Sequence, residues 1–231
     1  MRAVFIQNIV EENSFRISGD AFHHLVNVIR IQAGEEILVL NGKGLKLTAM
    51  VENISKKDLV LKEISRSLET RPYLMDLALG IPKRDALELC LREATELGIR
   101  RLYLVESDYS NIKIPEIDRL IKIMISSVEQ SNSSFIPEVI QASWINLPWD
   151  DYGYKVIMDS RPRSSKNLVP VLSSPNLLIV GPEGGFSKNE INYFDDHQLV
   201  DVLHLPTPIL RTPTAVATGS GWLLQRLLDC R

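Results

Sequence analysis

The stretch Leu177-Leu178-Ile179-Val180-Gly181-Pro182-Glu183-Gly184-Gly185-Phe186-Ser187 decides how this chain is read. Four consecutive aliphatic residues suit a strand buried on both faces, as the strands of parallel sheets are. The run feeds a turn with three glycines and then Ser187-Lys188-Asn189-Glu190. That S-x-x-E spacing is a capping box, so a helix opens there. Strand, glycine turn and helix form the unit of an open α/β sheet, and ligands bind outside the carboxyl ends of such strands. Glycines let a ligand approach the backbone closely. A tight connection with no ligand reads equally well from spacing alone. The turn is neither G-x-G-x-x-G nor a P-loop, because no Gly-Lys-Ser/Thr follows, so phosphate cradling is unsupported.

Downstream, Leu203-His204-Leu205-Pro206-Thr207-Pro208-Ile209-Leu210-Arg211-Thr212-Pro213 again joins a strand to a helix. Thr212 is suited to cap that helix and Pro213 to occupy its first position. Pro206 and Pro208 stiffen an apolar loop whose walls suit a purine ring; a rigid connection is the plainer alternative. The final helix, 213–229, carries Gly219 and Gly221, each costing about 1 kcal/mol relative to alanine. A helix that tolerates both is expected to pack tightly against another backbone, within the fold or across a dimer.

Upstream, strands are expected at 73–79, 101–105, 154–158, 176–180 and 200–205, alternating with helices at 85–97, 116–128 and 187–197. In the first helix Leu87, Cys90, Leu91, Ala94 and Leu97 share a face, and Gly98 ends it. In the second, Ile117, Leu120, Ile121, Met124 and Val128 are expected to face inward. The alternation implies an α/β domain with a largely parallel sheet covered on both faces. Before about residue 70 the texture differs. Short β-like runs at 2–6, 36–40, 45–51 and 58–64 are separated by turn signals such as Asn41-Gly42-Lys43-Gly44. One helix opens near Gly19-Asp20 and carries Phe22, Leu25, Val26 and Ile29. This reads as a small β-barrel over residues 1–70, with the α/β domain over 71–231.

With 231 residues, 45% apolar and 24% charged, the chain has an ordinary globular composition. No apolar run approaches the roughly 20 residues of a membrane span, and residues 1–8 lack a secretory h-region. The two cysteines, Cys90 and Cys230, have no metal spacing and suit a reducing cytoplasm. His23, His24, His197 and His204 form no triad, and no metal site is expected. A net charge of −3 does not advertise a nucleic-acid binder, although a local basic patch can sit on a neutral body. Lys83 and Arg84, at a strand-to-helix turn, could meet phosphate. Glu129-Gln130-Ser131 is a polar stretch after a helix. Glu183 is singled out for its ligand-like loop.

Taken in order, these segments resemble the RsmE family, the ribosomal RNA small subunit methyltransferases E of the SPOUT class. The resemblance runs through Phe22-His23-His24-Leu25 with Val28-Ile29-Arg30, Ile81-Pro82-Lys83, Glu93-Ala94-Thr95-Glu96-Leu97-Gly98, Glu129-Gln130-Ser131, Pro137, Gly181 to Ser187 with Glu190, and Ile209-Leu210-Arg211-Thr212 with Thr214-Ala215. It spans nearly the whole chain, and the glycine stretch with the Ile-Leu-Arg-Thr stretch is its specific part. It implies an N-terminal PUA-like barrel that helps bind RNA, and a C-terminal domain with a trefoil knot. It implies S-adenosylmethionine bound against Gly181, Pro182, Glu183, Gly184, Gly185, Leu205, Ile209, Leu210 and Arg211, in a homodimer. The implied reaction methylates N3 of a uridine in 16S ribosomal RNA of the small subunit.

The uracil imide N3 is a poor nucleophile until its proton leaves, and charge then spreads onto O2 and O4. Paired N3 is occupied, so the target must be unpaired or extruded. Arg211 and Glu129 are the catalytic candidates. Arg30, Lys83, Arg84, Gln130 and Ser131 are the RNA-binding candidates. The chain departs from the family pattern in four places. Asn132-Ser133 follows Glu-Gln-Ser where an arginine is usual. Pro206-Thr207-Pro208 replaces Gly-x-Arg. Pro213 replaces an acidic residue, and Ala86 a basic one. These losses keep open a non-catalytic RNA-binding or ribosome-assembly protein on the same scaffold. An unrelated nucleotide-binding enzyme is the third alternative.

Overall fold

The computed structural model describes residues 2–9, 13–110, 113–114, 116–161, 168–197 and 200–230. They form two compact units, Met1–Arg71 with Ile125–Ile136, and Pro72–Met124 with Pro137–Arg231.

The first unit is built on β1 (Arg2–Phe5), β2 (Ser14–Ser18), β3 (Glu36–Leu40), β4 (Leu45–Ile54) and β5 (Asp58–Leu68). The row runs β1-β3-β4-β5-β2. β1 and β3 are parallel and the other pairs antiparallel. β2 escapes the sequence reading because it shows only Phe15 and Ile17, alternating with Ser14, Arg16 and Ser18. That alternation buries the two apolar residues and exposes the polar ones. The expected helix is a short α1 (Gly19–His23) that continues as a π-helix over His24–Ile29. Phe22 and Leu25 pack with Val4, Ile37 and Leu47 in the core.

Residues 125–136 were expected in the second domain, and packing places them in the first unit. Ala3, Leu38 and Leu40, on the second face of β1 and β3, close around Val128. The Phe5 amide donates to Glu129 Oε1 at 2.9 Å. A two-sided sheet edge needs a cover, and this segment supplies it.

The second unit is a six-stranded sheet. It comprises β6 (Met75–Gly80), β7 (Arg101–Val105), β8 (Glu138–Ala142), β9 (Tyr154–Met158), β10 (Asn176–Val180) and β11 (Asp201–Leu203). The order is β11-β9-β10-β6-β7-β8, and every pair is parallel. β8 was not expected; it is a half-buried edge strand, too polar to stand out as an apolar run. The helices are α2 (Arg84–Glu96), α3 (Ile117–Ser131), α4 (Lys188–His197) and α5 (Thr212–Asp229). In α3, Leu120, Met124 and Val128 are buried, but Ile117 and Ile121 are exposed, against expectation. A single i,i+4 stripe suffices there, and periodicity drew it too wide. In α5, a Cβ on Gly219 would strike the side chains of Met158 and Leu178, whereas Gly221 has open space around it. Close packing within the chain thus explains one glycine of the two, and its partners are side chains.

Asp76, fully buried at the amino end of β6, ties the strands together away from the loops that follow them. It accepts Arg100 Nε at 2.9 Å, an Arg100 terminal nitrogen at 2.7 Å and the Tyr152 hydroxyl at 2.8 Å. These bonds, with the Asp76 charge, hold the Arg100 guanidinium more firmly protonated than usual.

Glu93 on α2 is a mismatch. Its Oε2 is buried with no hydrogen-bond partner. Burial, and secondarily the charge of Glu96, push its carboxyl from 4.5 up to about 7. A raised carboxyl pKa favours the folded state while the group is protonated. That advantage is complete below about pH 4.5 and is lost as pH rises through about 7. The Glu93→Gln protein is therefore expected to melt higher than wild type at pH 8, by an amount equivalent to about 1 kcal/mol after allowing for partial solvent screening. At pH 4.5 the two melts should coincide. A pH-independent difference would refute this assignment.

Candidate functional site

Beyond the carboxyl ends of β9, β10 and β11 lies a cavity of about 280 Å³. Its walls are Asp159 to Arg161 after β9, Gly181 to Phe186 after β10, and Leu205 with Thr207 to Leu210 after β11. Thr212 and Ala215 of α5 complete it. Adjacent parallel strands all release their chains on one side of the sheet, so their loops converge there.

The glycine loop is crowded where it must be. A Cβ on Gly184 would lie 2.8 Å from Tyr109 Cβ, and one on Gly181 would lie 3.1 Å from the Phe186 ring. Gly185 has φ +71, the left-handed region that favours glycine. At the end of β6, a Cβ on Gly80 would come within 2.6 Å of Pro182 Cδ. The Glu183 carboxylate receives the Lys83 amide at 3.0 and 3.3 Å. This carboxylate therefore ties the β6–α2 turn to the glycine loop.

The capping box forms as read. Ser187 N donates to Glu190 Oε2 at 2.8 Å, and Glu190 N donates to Ser187 Oγ at 3.2 Å. The buried Glu190 does more than cap. Its Oε1 also accepts Ser107 Oγ at 2.6 Å, Trp144 Nε1 at 2.7 Å and the Asp108 amide at 3.1 Å. Ser187 Oγ in turn donates to Asp108 Oδ2 at 2.5 Å. One carboxylate thus anchors α4, the turn after β7 and the Trp144 indole. Around it Trp144, Phe186 and Phe194 pack edge to face at centroid distances of 5.2 to 5.8 Å.

Asp159 lies in the wall with its side chain 4% exposed and bonded to Arg161. Arg161 Nε donates to Oδ1 at 3.0 Å, and a terminal guanidinium nitrogen donates to Oδ2 at 3.1 Å. The hydrogen bonds that Arg161 donates to Asp159 hold the arginine's pKa above its usual range. Sequence reading missed this pair, although a residue just past the carboxyl end of a buried strand was the place to look.

The structure gathers Gly181, Pro182, Glu183, Gly184, Gly185, Leu205, Ile209 and Leu210 around the cavity. Arg211 is not in its lining; it is exposed at the N-cap of α5. Thr212 is the first residue of that helix, and it makes no side-chain cap. Its hydroxyl donates to the Gly181 carbonyl at 3.4 Å and so joins α5 to the glycine loop. Lys83 and Arg84 are exposed at the start of α2, with Arg84 3.9 Å from Glu88. Arg30, Glu129, Gln130 and Ser131 belong to the first unit. Arg30 is exposed at φ 58. Glu129 accepts the Phe5 amide, and Ser131 Oγ donates to the Ser127 carbonyl at 2.7 Å. Gln130 is exposed. Among the described residues, no cluster of His, Cys, Asp and Glu could hold a metal ion, and no helix is long and apolar enough to cross a membrane.

Residues 69–223 match the family model of the RNA methyltransferase domain, and residues 17–64 match that of the RNA methyltransferase PUA domain. The chain is similar to the ribosomal RNA small subunit methyltransferase E of Rickettsia conorii, at 28% identity covering 94% of this chain and 92% of that one. It is similar to the protein of the same name from Bacillus subtilis, at 28% identity covering 90% and 89%. Among solved structures it superposes on a ribosomal RNA small subunit methyltransferase E from Neisseria gonorrhoeae bound to S-adenosyl methionine. The TM-score is 0.85 at 23% identity, over 97% of both chains. A Legionella pneumophila structure in complex with the same cofactor superposes with a TM-score of 0.81 at 25% identity, over 96% of both chains.

Proposed function

The chain belongs to the RsmE family of RNA methyltransferases, and from that membership we propose that it transfers a methyl group from S-adenosylmethionine to N3 of a uridine in 16S ribosomal RNA of the small subunit. The observation that carries the reading is the cavity behind the glycine loop, open at the carboxyl ends of three neighbouring parallel strands. The residues present fit the cofactor. The backbone of Gly181 to Gly185 lines the cavity, with open space where a Cβ of Gly185 would lie, and Leu205, Ile209 and Leu210 offer apolar walls to an adenine ring. Asp159, buried in the wall, is paired with Arg161 and holds that side chain at the cavity.

S-adenosylmethionine supplies an electrophilic methyl group when bound. The chain's part is to hold N3 in line with it, a positioning effect that can supply a large share of the acceleration. The Arg211 guanidinium, exposed beside the cavity residues Leu210 and Thr212, stabilises the charge that spreads onto the uracil oxygens. The N3 proton leaves as the N–C bond forms, and Glu129, whose Oε1 accepts the Phe5 amide, is kept as the candidate acceptor. Lys83, Arg84, Arg30, Gln130 and Ser131 contact the RNA. A second copy of the chain packs on the open side of Gly221, and the enzyme works in the cytoplasm on the small subunit.

The test is methyl transfer from labelled S-adenosylmethionine to small-subunit particles that lack the modification, followed by nucleoside analysis. About one methyl per particle, recovered as 3-methyluridine, is the expected result. Label recovered in another nucleoside would overturn the site of methylation. No transfer by a folded, cofactor-binding protein would favour an RNA-binding or assembly role.

A further inference from the structure

We propose that Tyr109 is the stacking platform for the target base, presented beside the glycine loop of the cofactor cavity. The inference rests on the methyl-transfer reading and extends it to the residue that seats the substrate. Tyr109 is 48% exposed, and among the described residues no other Phe, Tyr or Trp is as exposed. Exposed aromatics usually sit on loose segments; this one does not. Ser107 and Asp108 are both bonded to the buried Glu190, and Asp108 also accepts the Ser187 hydroxyl. Ser107 N donates to Ser110 Oγ at 3.1 Å, and Ser110 N returns a bond to the Ser107 carbonyl at 2.8 Å. The turn is pinned on both sides of Tyr109 while the ring stays in solvent.

Its location selects the ligand. Tyr109 lies against Gly184, a cavity residue on which any Cβ would meet Tyr109 Cβ at 2.8 Å. The glycine therefore makes room for the tyrosine. Arg161 also lines the cavity, its guanidinium bonded to Asp159. A rigid aromatic face next to a cavity for a methyl donor suits a flat, unstacked base. Base–aromatic stacking is indifferent to sequence and is typically worth tenfold or more in affinity.

The experiment uses full-length protein loaded with S-adenosylhomocysteine and a fluorescent single-stranded oligouridylate as probe. Tyr109→Ala should weaken the oligouridylate about tenfold, while Tyr109→Phe and Tyr109→Trp stay within about twofold of wild type. Affinity of the Ala variant for S-adenosylmethionine should be unchanged. Irradiation with 4-thiouridine-substituted RNA should crosslink the tryptic peptide 102–113. Unchanged RNA affinity in the Ala variant would overturn the proposal. So would a parallel loss of cofactor affinity, which makes Tyr109 only a prop for the glycine loop, or an altered oligomeric state, which makes it a contact between copies. Methyl transfer is assayed separately. A wild-type protein that crosslinks at this peptide but transfers no methyl fails the enzyme reading and keeps the base seat. An active enzyme with unaltered binding in the Ala variant fails the base seat alone.

Discussion

Calorimetric titration of S-adenosylmethionine into the Gly184→Trp variant is expected to give no saturable binding, where wild type binds. Gly184 lines the cavity, and its absent Cβ already faces Tyr109 Cβ at 2.8 Å. That neighbour is the base of a side chain on a pinned turn, not the movable end of a flexible one. An indole placed there has two outlets. It displaces the Ser107–Ser110 turn, or it swings the glycine loop into a cavity of about 280 Å³. The turn is held by the Glu190 bonds, so the loop and its cavity give way first. A loss of at least about a hundredfold, or roughly 2.7 kcal/mol, is expected. The variant should still unfold cooperatively, because the residue is exposed. Wild-type affinity in Gly184→Trp would place the cofactor elsewhere and remove the basis of the proposed function.

The second large effect is on stability. Glu190→Ala leaves the Ser107 hydroxyl, the Trp144 indole N–H and the Asp108 and Ser187 amides without their acceptor, all in a largely buried setting. Hydrogen bonds to a charged group contribute about 1.5–3 kcal/mol each, and stranded donors carry a desolvation penalty. Water entering the space left by the carboxylate recovers part of this, so about 3–5 kcal/mol is expected in urea unfolding. Glu190→Gln should be less damaging but far from neutral, since its amide turns an N–H toward groups that also donate. If both variants unfold within about 0.5 kcal/mol of wild type, the hub does not hold α4 to the β7 turn.

The legible parts of this protein are those where local pattern and burial agree. β10 is Asn176 followed by four aliphatic residues, and all five are buried. The capping box after it forms with both reciprocal bonds. α2 buries Leu87, Cys90, Leu91 and Ala94, four of the five residues its periodicity marked, while Leu97 is half-buried at the C-cap. Eight of the nine residues assigned to the cofactor by resemblance line the cavity, and only Arg211 stands outside its lining. β2 and β8 were illegible because one is half polar by alternation and the other is a polar edge strand. Thr212 has the chemistry of a cap, but it is the first residue of α5 with Arg211 at the N-cap, and its hydroxyl donates to the Gly181 carbonyl.

What the amino-acid order determines by itself is local. It marks where strands and helices begin, which faces are apolar, and that a glycine turn follows a buried strand. Each of these depends on neighbours a few residues away, and spacing records them. Tertiary structure alone decides that β10 lies between β9 and β6, and that residues 125–136 cover the first unit's sheet. It also decides that Glu190 anchors a turn some eighty residues earlier in the chain. These arrangements come from burying apolar faces and satisfying buried polar groups across long loops. Their partners share no sequence spacing, so no periodicity encodes them.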